Sequence, residues 1–309
     1  MTQSKPQNPP KKHHYIPEFY QKKWALEDKI IVFMRHNGIV RARKKSPAST
    51  GYVELLYSMN ELPKSEVQMI EAEYMSPVDS LAALARDALI AQRPLTSRER
   101  LSWVQFMMSL QLRTPEEIAL FKESYREQGE RLKSARSEQY LQGRVEGDPE
   151  TFDDYLRMIG PAGIEKAMMH LFLQMMSNKN IATIMNGMRW TSINVKSASH
   201  KLMTSDRPLV MPYGLGRADA YIAMPLSPDK LFLATKKNDL IESEMKRRGS
   251  NGIVADINAA VVGQSYKYVY AADDSQLRFV QNRMAKLPRY SLIQRLLNKF
   301  EKDDNNCDS

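Results

Sequence analysis

The sequence has a single cysteine and no long run of apolar residues. Cys307 lies in the polar C-terminal tail, which excludes a disulfide framework and a cysteine-based zinc site. No stretch reaches the roughly 20 apolar residues that span a bilayer, and residues 1–10 lack the hydrophobic core of a signal peptide. We therefore expect a soluble, cytoplasmic protein that does not act in a membrane.

The signatures of several enzyme classes are also missing. There is no Gly-x-Ser-x-Gly nucleophile elbow, no P-loop and no His-Glu-x-x-His zinc motif. Gly214-Leu215-Gly216 lacks the third glycine and the strand-to-helix context of a dinucleotide-binding fingerprint. Any active site must therefore be sought among polar residues that lie far apart in the sequence.

The positive charge is concentrated at the N-terminal end. The chain has a net charge of +9, and residues 1–50 contribute +8 of it, from eleven Lys or Arg and three acidic residues. Such asymmetry indicates a polyanionic partner such as nucleic acid, although a merely solvated basic arm explains it equally well. The cations that would bind a nucleic acid are Lys11, Lys12, Arg41, Arg43, Lys44 and Lys45.

The pattern of apolar residues predicts an α+β fold that is mostly helical. Two strand-like segments, Lys29 to Arg35 and Ile39 to Arg43, flank Asn37-Gly38, the preferred chemistry of a tight hairpin turn. Residues 64–177 have helical periodicity, and short β-like runs punctuated by proline and glycine follow residue 188. We expect the hairpin and the C-terminal β segment to form one small sheet.

This order of elements favours one domain over residues 11–290, with the helical block as an insertion; two independent domains remain the alternative. Residues 1–10 are predicted to be a disordered leader, and residues 291–309 a C-terminal helix with an acidic tail. Two helix starts are explicit: Thr96 with Glu99 forms a capping-box pattern, and Thr114 precedes Pro115 at a second start.

Five segments carry a family resemblance. They are His13-His14-Tyr15-Ile16-Pro17-Glu18-Phe19-Tyr20, Gln111-Leu112-Arg113-Thr114-Pro115, Met203-Thr204-Ser205-Asp206-Arg207-Pro208-Leu209-Val210, Met224-Pro225-Leu226-Ser227-Pro228, and Asn258 with Tyr268-Val269-Tyr270. In this order, from about residue 11 to 275, they resemble the DUF4238 domain family of uncharacterised bacterial proteins. The resemblance implies a shared fold and a shared site, but no activity, cofactor or catalytic residue. Arg207 departs from the family pattern, in which a small polar residue more often precedes the proline.

His13 and His14 are the first candidates for chemistry. Neighbouring side chains point to opposite faces of a strand or lie about 100° apart on a helix, so at most one of them acts at a given site. Because Pro17 follows closely, we expect the pair at a junction between a loop and a helix. An imidazole there suits acid–base chemistry near neutral pH.

The other candidates each have a structural alternative. Asp206, with Ser205, can accept a proton, bind a metal or orient a histidine, or it can simply stabilise a turn. Arg113 can bind a phosphate or carboxylate in bidentate fashion, or neutralise the C-terminal end of its helix. Asn258, among apolar residues, faces either a site or a buried polar partner.

The preferred hypothesis is a hydrolase or transferase that acts on a phosphate-bearing substrate such as nucleic acid. Its site would combine His13, His14, Arg113, Ser205, Asp206 and Asn258, with one histidine as the acid–base group. A divalent metal is left open, and the sequence does not give the oligomeric state. The alternative is a non-catalytic module that binds nucleic acid or protein through its basic N-terminal region.

Overall fold

The computed structural model describes residues 11–58, 61, 70–212, 214–237, 240–288 and 291–298. The predicted leader at residues 1–10 and the acidic tail from residue 299 lie outside these ranges. The strands are β1 (Lys12–His14), β2 (Ile30–His36), β3 (Ile39–Lys45), β4 (Tyr52–Glu54), β5 (Arg189–Asn194), β6 (Thr204–Ser205), β7 (Tyr221–Ser227), β8 (Lys230–Thr235) and β9 (Tyr268–Ala271).

The helices are α1 (Glu18–Gln21), α2 (Ser76–Ile90), α3 (Ser97–Leu112), α4 (Pro115–Arg131), α5 (Lys133–Gly143), α6 (Phe152–Met176), α7 (Lys179–Gly187), α8 (Leu240–Gln264) and α9 (Leu277–Arg283). A π-helical turn, Ile70–Met75, leads directly into α2. Residues 292–298 are also helical. Within the described ranges, no helix has the length and apolarity needed to cross a membrane. The α+β fold class is confirmed.

The predicted hairpin forms the edge of a four-stranded antiparallel sheet with the order β3-β2-β9-β6. Asn37 and Gly38 both have positive φ, 49° and 79°, as a two-residue turn between twisted strands requires. Strands from the two ends of the chain therefore share one sheet, as the sequence predicts. The other C-terminal strands form a separate sheet, β5-β8-β7.

The histidine pair lies in a strand and not in a loop. β1 pairs with β4 in a two-stranded ribbon, with His13 opposite Val53 and His14 opposite Tyr52. The expectation that the pair lies in a loop is therefore wrong, because backbone pairing with β4 makes Lys12–His14 a strand. The expected helix does follow closely, since Pro17 precedes the first turn of α1.

The helix starts follow the sequence closely. Thr96 and Glu99 form the predicted capping box, and the Thr114 side chain caps α4 by accepting from the N–H of Glu117. α6 is interrupted by a kink at Gly160, where φ is 61° and the backbone is not helical. α8 contains a similar break at Gly249.

Buried aromatic residues tie the N-terminal segment to the C-terminal strands. The Tyr20 hydroxyl lies 2.8 Å from the Thr204 hydroxyl and donates to the Pro225 carbonyl, and Trp24 donates from Nε1 to the Leu202 carbonyl at 2.8 Å. Both rings belong to a core cluster that also contains Trp103. These hydrogen bonds hold the segment that follows the histidine ribbon against the C-terminal strands.

Candidate functional site

Arg113 follows α3 directly and is fully buried. Its Nη1 donates to Oδ1 of Asp79 at 2.9 Å, and its guanidinium carbon lies 5.2 Å from the centre of the Phe106 ring. Nε and Nη2 are buried and have no hydrogen-bond partner among the described residues. One carboxylate thus balances the charge, while one edge of the guanidinium keeps its donors unused.

The charge of Arg113 acts on two carboxyl groups, those of Asp79 and Glu71. Asp79 lies in the first turn of α2, and burial raises its pKa while Arg113 lowers it. Glu71 lies on the π-helical turn; its Oε1 accepts from the Ser76 hydroxyl at 3.3 Å, but its buried Oε2 has no partner in the described part of the chain. Burial, followed by repulsion from Asp79, raises the pKa of Glu71 to about 7 against the opposing effect of Arg113. Glu71 can therefore exchange a proton near neutral pH.

His13 is fully buried and faces Tyr57. Its Nδ1 accepts from the backbone N–H of Tyr57 at 3.0 Å, and the two rings stack with centroids 5.3 Å apart and an interplanar angle of 12°. Because Nδ1 accepts, a neutral His13 carries its proton on Nε2. The Tyr57 hydroxyl lies 3.5 Å from the Arg113 carbonyl, so His13 and Arg113 flank the same tyrosine.

His14 points to the other face of the ribbon and packs against Tyr52, with ring centroids 5.5 Å apart. Its Nε2 is buried and has no partner in the ranges that the structure describes. Burial lowers the pKa of His14 below 6.5, and the charges of Lys12 and Arg113 act in the same direction. Glu18 and the Ala48 carbonyl oppose them. A neutral imidazole with an unused ring nitrogen is a suitable general base.

Asp206 is buried at the end of β6, where its carboxylate accepts three backbone N–H groups. The donors are Tyr266 at 2.8 Å, Lys267 at 2.5 Å and Tyr268 at 2.9 Å. Burial raises its pKa to about 6, although these three bonds and Arg207 lower it. Asp206 hydrogen-bonds to neither histidine within the described residues. Its bonds join β6 to the turn before β9.

Ser205 and Asn258 also hold backbone segments. The Ser205 hydroxyl accepts from the N–H of Arg207 at 3.1 Å, an ordinary turn contact. The Asn258 side chain accepts from the N–H of Met203 at 2.9 Å and donates to the Lys201 carbonyl at 2.9 Å. A further bond to Gln276 at 3.2 Å uses its remaining donor. Asn258 thus aligns the segment that leads into β6.

The predicted site residues therefore lie in two separate regions. Ser205, Asp206 and Asn258 stabilise the region of β6, β9 and α8. We call the second group the Arg113 cluster; it consists of Arg113, its hydrogen-bond partner Asp79, and Glu71 and His14, whose pKa values the charge of Arg113 lowers. Over the ranges that the structure describes, no group of three or more His, Cys, Asp or Glu residues is arranged to hold a metal ion.

Glu71 and Asp79 are the members that sequence reasoning missed. Both lie in a helical block outside any motif. Glu71 is one of two acids on its turn, with Glu73, and an acid in a first helical turn, such as Asp79, has an ordinary role there. Asp79 is 34 residues from Arg113 in the sequence. No local spacing connects the two residues.

The basic residues of the N-terminal region lie mostly at the surface. Arg41, Arg43 and Lys44 are exposed on β3 and Lys45 is partly buried, and β3 is an edge strand. None of these four has an ion pair or hydrogen bond from its side chain to the described residues. Lys11 and Lys12 are also exposed, and the Lys12 ammonium lies 4.7 Å from the centre of the Tyr52 ring.

Comparison with known proteins gives a family. A family model described as a protein of unknown function, DUF4238, matches residues 12–275. The chain belongs to the DUF4238 family. The matched range includes the histidine pair, the whole Arg113 cluster, Asp206 and Asn258. No curated protein and no solved structure matches the chain.

Proposed function

We propose that this DUF4238 protein is a hydrolase or transferase that acts on a phosphate-bearing substrate, and that Arg113 binds the phosphate. One observation carries the proposal: a fully buried guanidinium has Nε and Nη2 without partners among the described residues. Leaving a buried donor unpaired costs about 1–3 kcal/mol, so a ligand that accepts both hydrogen bonds would recover this free energy.

The unused edge has the geometry for such a ligand. The N–H bonds of Nε and Nη2 point in parallel from one side of the guanidinium plane, which matches two oxygens of a phosphate or carboxylate. His14 supplies the acid–base group, because its lowered pKa keeps it neutral at pH 7 and its Nε2 is unused. Asp206 then has a structural role in supporting the fold around the site.

The test combines phosphate binding with turnover. Calorimetry would measure the affinity of inorganic phosphate for the wild type and for Arg113→Lys, which keeps the positive charge but cannot form a bidentate hydrogen bond. Release of phosphate from aryl phosphate esters would be assayed with both proteins and with His14→Asn. We expect Arg113→Lys to weaken binding at least about tenfold, and His14→Asn to reduce turnover with little effect on binding.

Arg93→Lys is the matched control, because Arg93 is an exposed arginine that already has a carboxylate partner, Glu99. Circular dichroism would establish that each variant is folded. Wild-type phosphate affinity in Arg113→Lys would contradict the proposal.

A second candidate function is non-catalytic binding of nucleic acid. The unpaired cations of β3 favour it, since an exposed basic strand can contact successive phosphates. In this case the buried ion pair between Arg113 and Asp79 has only a structural role. For either function we infer a cytoplasmic protein, because the only cysteine is Cys307.

A further inference from the structure

We propose that Glu71 contacts the ligand together with Arg113, and that the ligand is a terminal phosphate of a phosphate monoester. This inference rests on the proposed phosphate site and adds to it a residue and a substrate class. The two groups would contact the phosphate from different sides, Arg113 through two N–H donors and Glu71 through its carboxyl group.

The unused hydrogen-bonding atoms of the two residues are complementary. Glu71 has one carboxyl oxygen bonded to Ser76, while its buried Oε2 has no partner among the described residues. Arg113 has two buried donors in the same condition, and its charge acts on Glu71. The two side chains nevertheless form no hydrogen bond with each other. A group that accepts from Arg113 and shares a proton with Glu71 would satisfy all three atoms.

The backbone at Glu71 also points to a functional site. Residues Ile70–Met75 form a π-helical turn immediately before α2. A π-helical turn is less favourable than an α-helical one and is frequently found at functional sites. Asp79, further along in α2, already occupies Nη1 of Arg113. Glu71 is thus a carboxyl group whose pKa the charge of Arg113 lowers but which forms no hydrogen bond with it.

The burial of the cluster selects among phosphate ligands. Arg113 is fully buried, so a phosphate inside a polymer, with a chain on both sides, would have to be enclosed along with its neighbours. A monoester has three terminal oxygens. Two can accept from Nε and Nη2, and the third can share a proton with Glu71. A diester has only two such oxygens and no proton to share.

The charges around Glu71 give the pH dependence. Asp79 repels an ionised Glu71 and Arg113 attracts it, while the Tyr57 ring belongs to the same buried environment. Below its pKa of about 7, Glu71 is a neutral donor to an anion; above it, Glu71 is an anion itself. Binding of an anion should therefore weaken as the pH rises through about 7.

Sulfate is the probe for this dependence, because its charge is constant between about pH 5.5 and pH 8.5. Calorimetry should show that sulfate affinity of the wild type falls about tenfold over this range, and that Glu71→Gln abolishes most of the fall. Glu73→Gln is the matched control, since Glu73 is an exposed acid on the same π-helical turn. Ser76→Ala removes a bond that lowers the pKa of Glu71, so it should move the midpoint to higher pH.

Methyl phosphate and dimethyl phosphate test the substrate class, and we expect the monoester to bind at least about tenfold more tightly. Equal affinities would overturn the assignment of a monoester. A wild-type pH profile in folded Glu71→Gln, with binding still lost in Arg113→Lys, would overturn the role of Glu71 and leave the phosphate site intact. Wild-type affinity in Arg113→Lys would overturn the phosphate site itself.

Discussion

Arg113 and Asp79 are joined by one hydrogen bond of 2.9 Å, from Nη1 to Oδ1, between the end of α3 and the first turn of α2. The bond balances the charge of a fully buried guanidinium but uses only one of its three nitrogens. The burial of the two partners is unequal, since the Asp79 side chain is 21% exposed and that of Arg113 is 0% exposed. Arg113 therefore depends on the charge of Asp79 for its neutralisation, whereas water can solvate part of the Asp79 carboxylate.

Removing Asp79 should destabilise the fold strongly. Asp79→Ala leaves the charge of Arg113 buried without compensation, so we expect the free energy of unfolding to fall by about 3–5 kcal/mol. Urea denaturation would measure it. The double variant Asp79→Ala/Arg113→Met should lose clearly less than the sum of the single variants, because it leaves no buried charge.

Asp219→Ala is the control for this prediction, because Asp219 pairs with Arg217 at the surface, where both side chains are well exposed. Its expected cost is below about 1 kcal/mol. Additive losses in the Asp79 and Arg113 variants would show that the pair is not coupled.

Asp206→Asn tests the structural role of Asp206. A carboxyl group keeps an acceptor at both oxygens in either protonation state, whereas the amide of Asn turns one of them into a donor that faces backbone N–H groups, so we expect a loss of about 2–4 kcal/mol in unfolding free energy at low pH. The pKa of Asp206 is raised to about 6 in the folded state from an ordinary value of 3.8. The contribution of Asp206 to the free energy of unfolding is therefore complete below about pH 3.8, and it is lost as the pH rises through about 6.

The difference in unfolding free energy between the wild type and Asp206→Asn should accordingly become smaller as the pH rises from about 4 to about 6.5. Denaturation series at several pH values would measure this. A variant of wild-type stability that has also lost phosphate turnover would instead indicate a catalytic role for Asp206.

Local chemistry explains which parts of the fold could be predicted. The hairpin follows from Asn37-Gly38, and the starts of α3 and α4 follow from Thr96 and Thr114, because in each case the determining atoms lie within a few residues. The opposite orientations of His13 and His14 also follow from backbone geometry alone. Their position in a strand does not, because it depends on pairing with β4, about 40 residues further along.

The candidate site could be predicted only in part, for the same reason. Arg113 was identifiable from its place after a helix. Which of its nitrogens are left without a partner was not, because that depends on side chains of other elements, such as Asp79 on α2. The partners of Asp206 lie at least 60 residues away in the sequence. Sequence spacing also does not reveal that β5, β7 and β8 form their own sheet, because strand alternation specifies a face and not a neighbour.

Gly51 should be intolerant of a side chain. Its φ is +67°, and an added Cβ would lie 2.7 Å from Nε2 of Gln21 and 3.1 Å from the Tyr270 hydroxyl. Its carbonyl accepts the N–H groups of Tyr15 and Ile16, so a shift here would move the segment that carries the histidines. We expect Gly51→Ala to cost more than about 2 kcal/mol in unfolding free energy.

Gly38→Ala provides the comparison for Gly51→Ala. Gly38 has a similar φ of +79°, but a Cβ added there would meet no described atom within 4 Å. This variant should cost only about 1 kcal/mol, the penalty of the backbone conformation. Equal losses in the two glycine variants would show that the close approach to Gln21 has no effect.

His14 should titrate below the ordinary histidine value of 6.5, because burial disfavours the imidazolium. NMR would follow the ring resonances with pH, and His14→Asn would assign them. Glu18→Gln should lower the midpoint further, since the Glu18 carboxylate raises the pKa of His14. A midpoint at or above 6.5 would contradict the assignment of His14 as a neutral base at pH 7.

The basic strand β3 can be tested through the salt dependence of nucleic-acid binding. Arg41→Thr/Arg43→Thr removes two exposed cations while keeping residues suited to a strand. If both contact phosphates, the slope of log K against log salt concentration for duplex DNA should become shallower by about 1.8. Arg217→Thr removes another exposed arginine, which already pairs with Asp219, and it should leave the slope nearly unchanged. Arg113→Lys should also leave the slope unchanged, because Arg113 is buried away from any duplex.

Identical slopes for the double variant and the wild type would exclude β3 as a phosphate-binding strand. Its exposed cations would then serve to keep this edge strand from pairing with another chain.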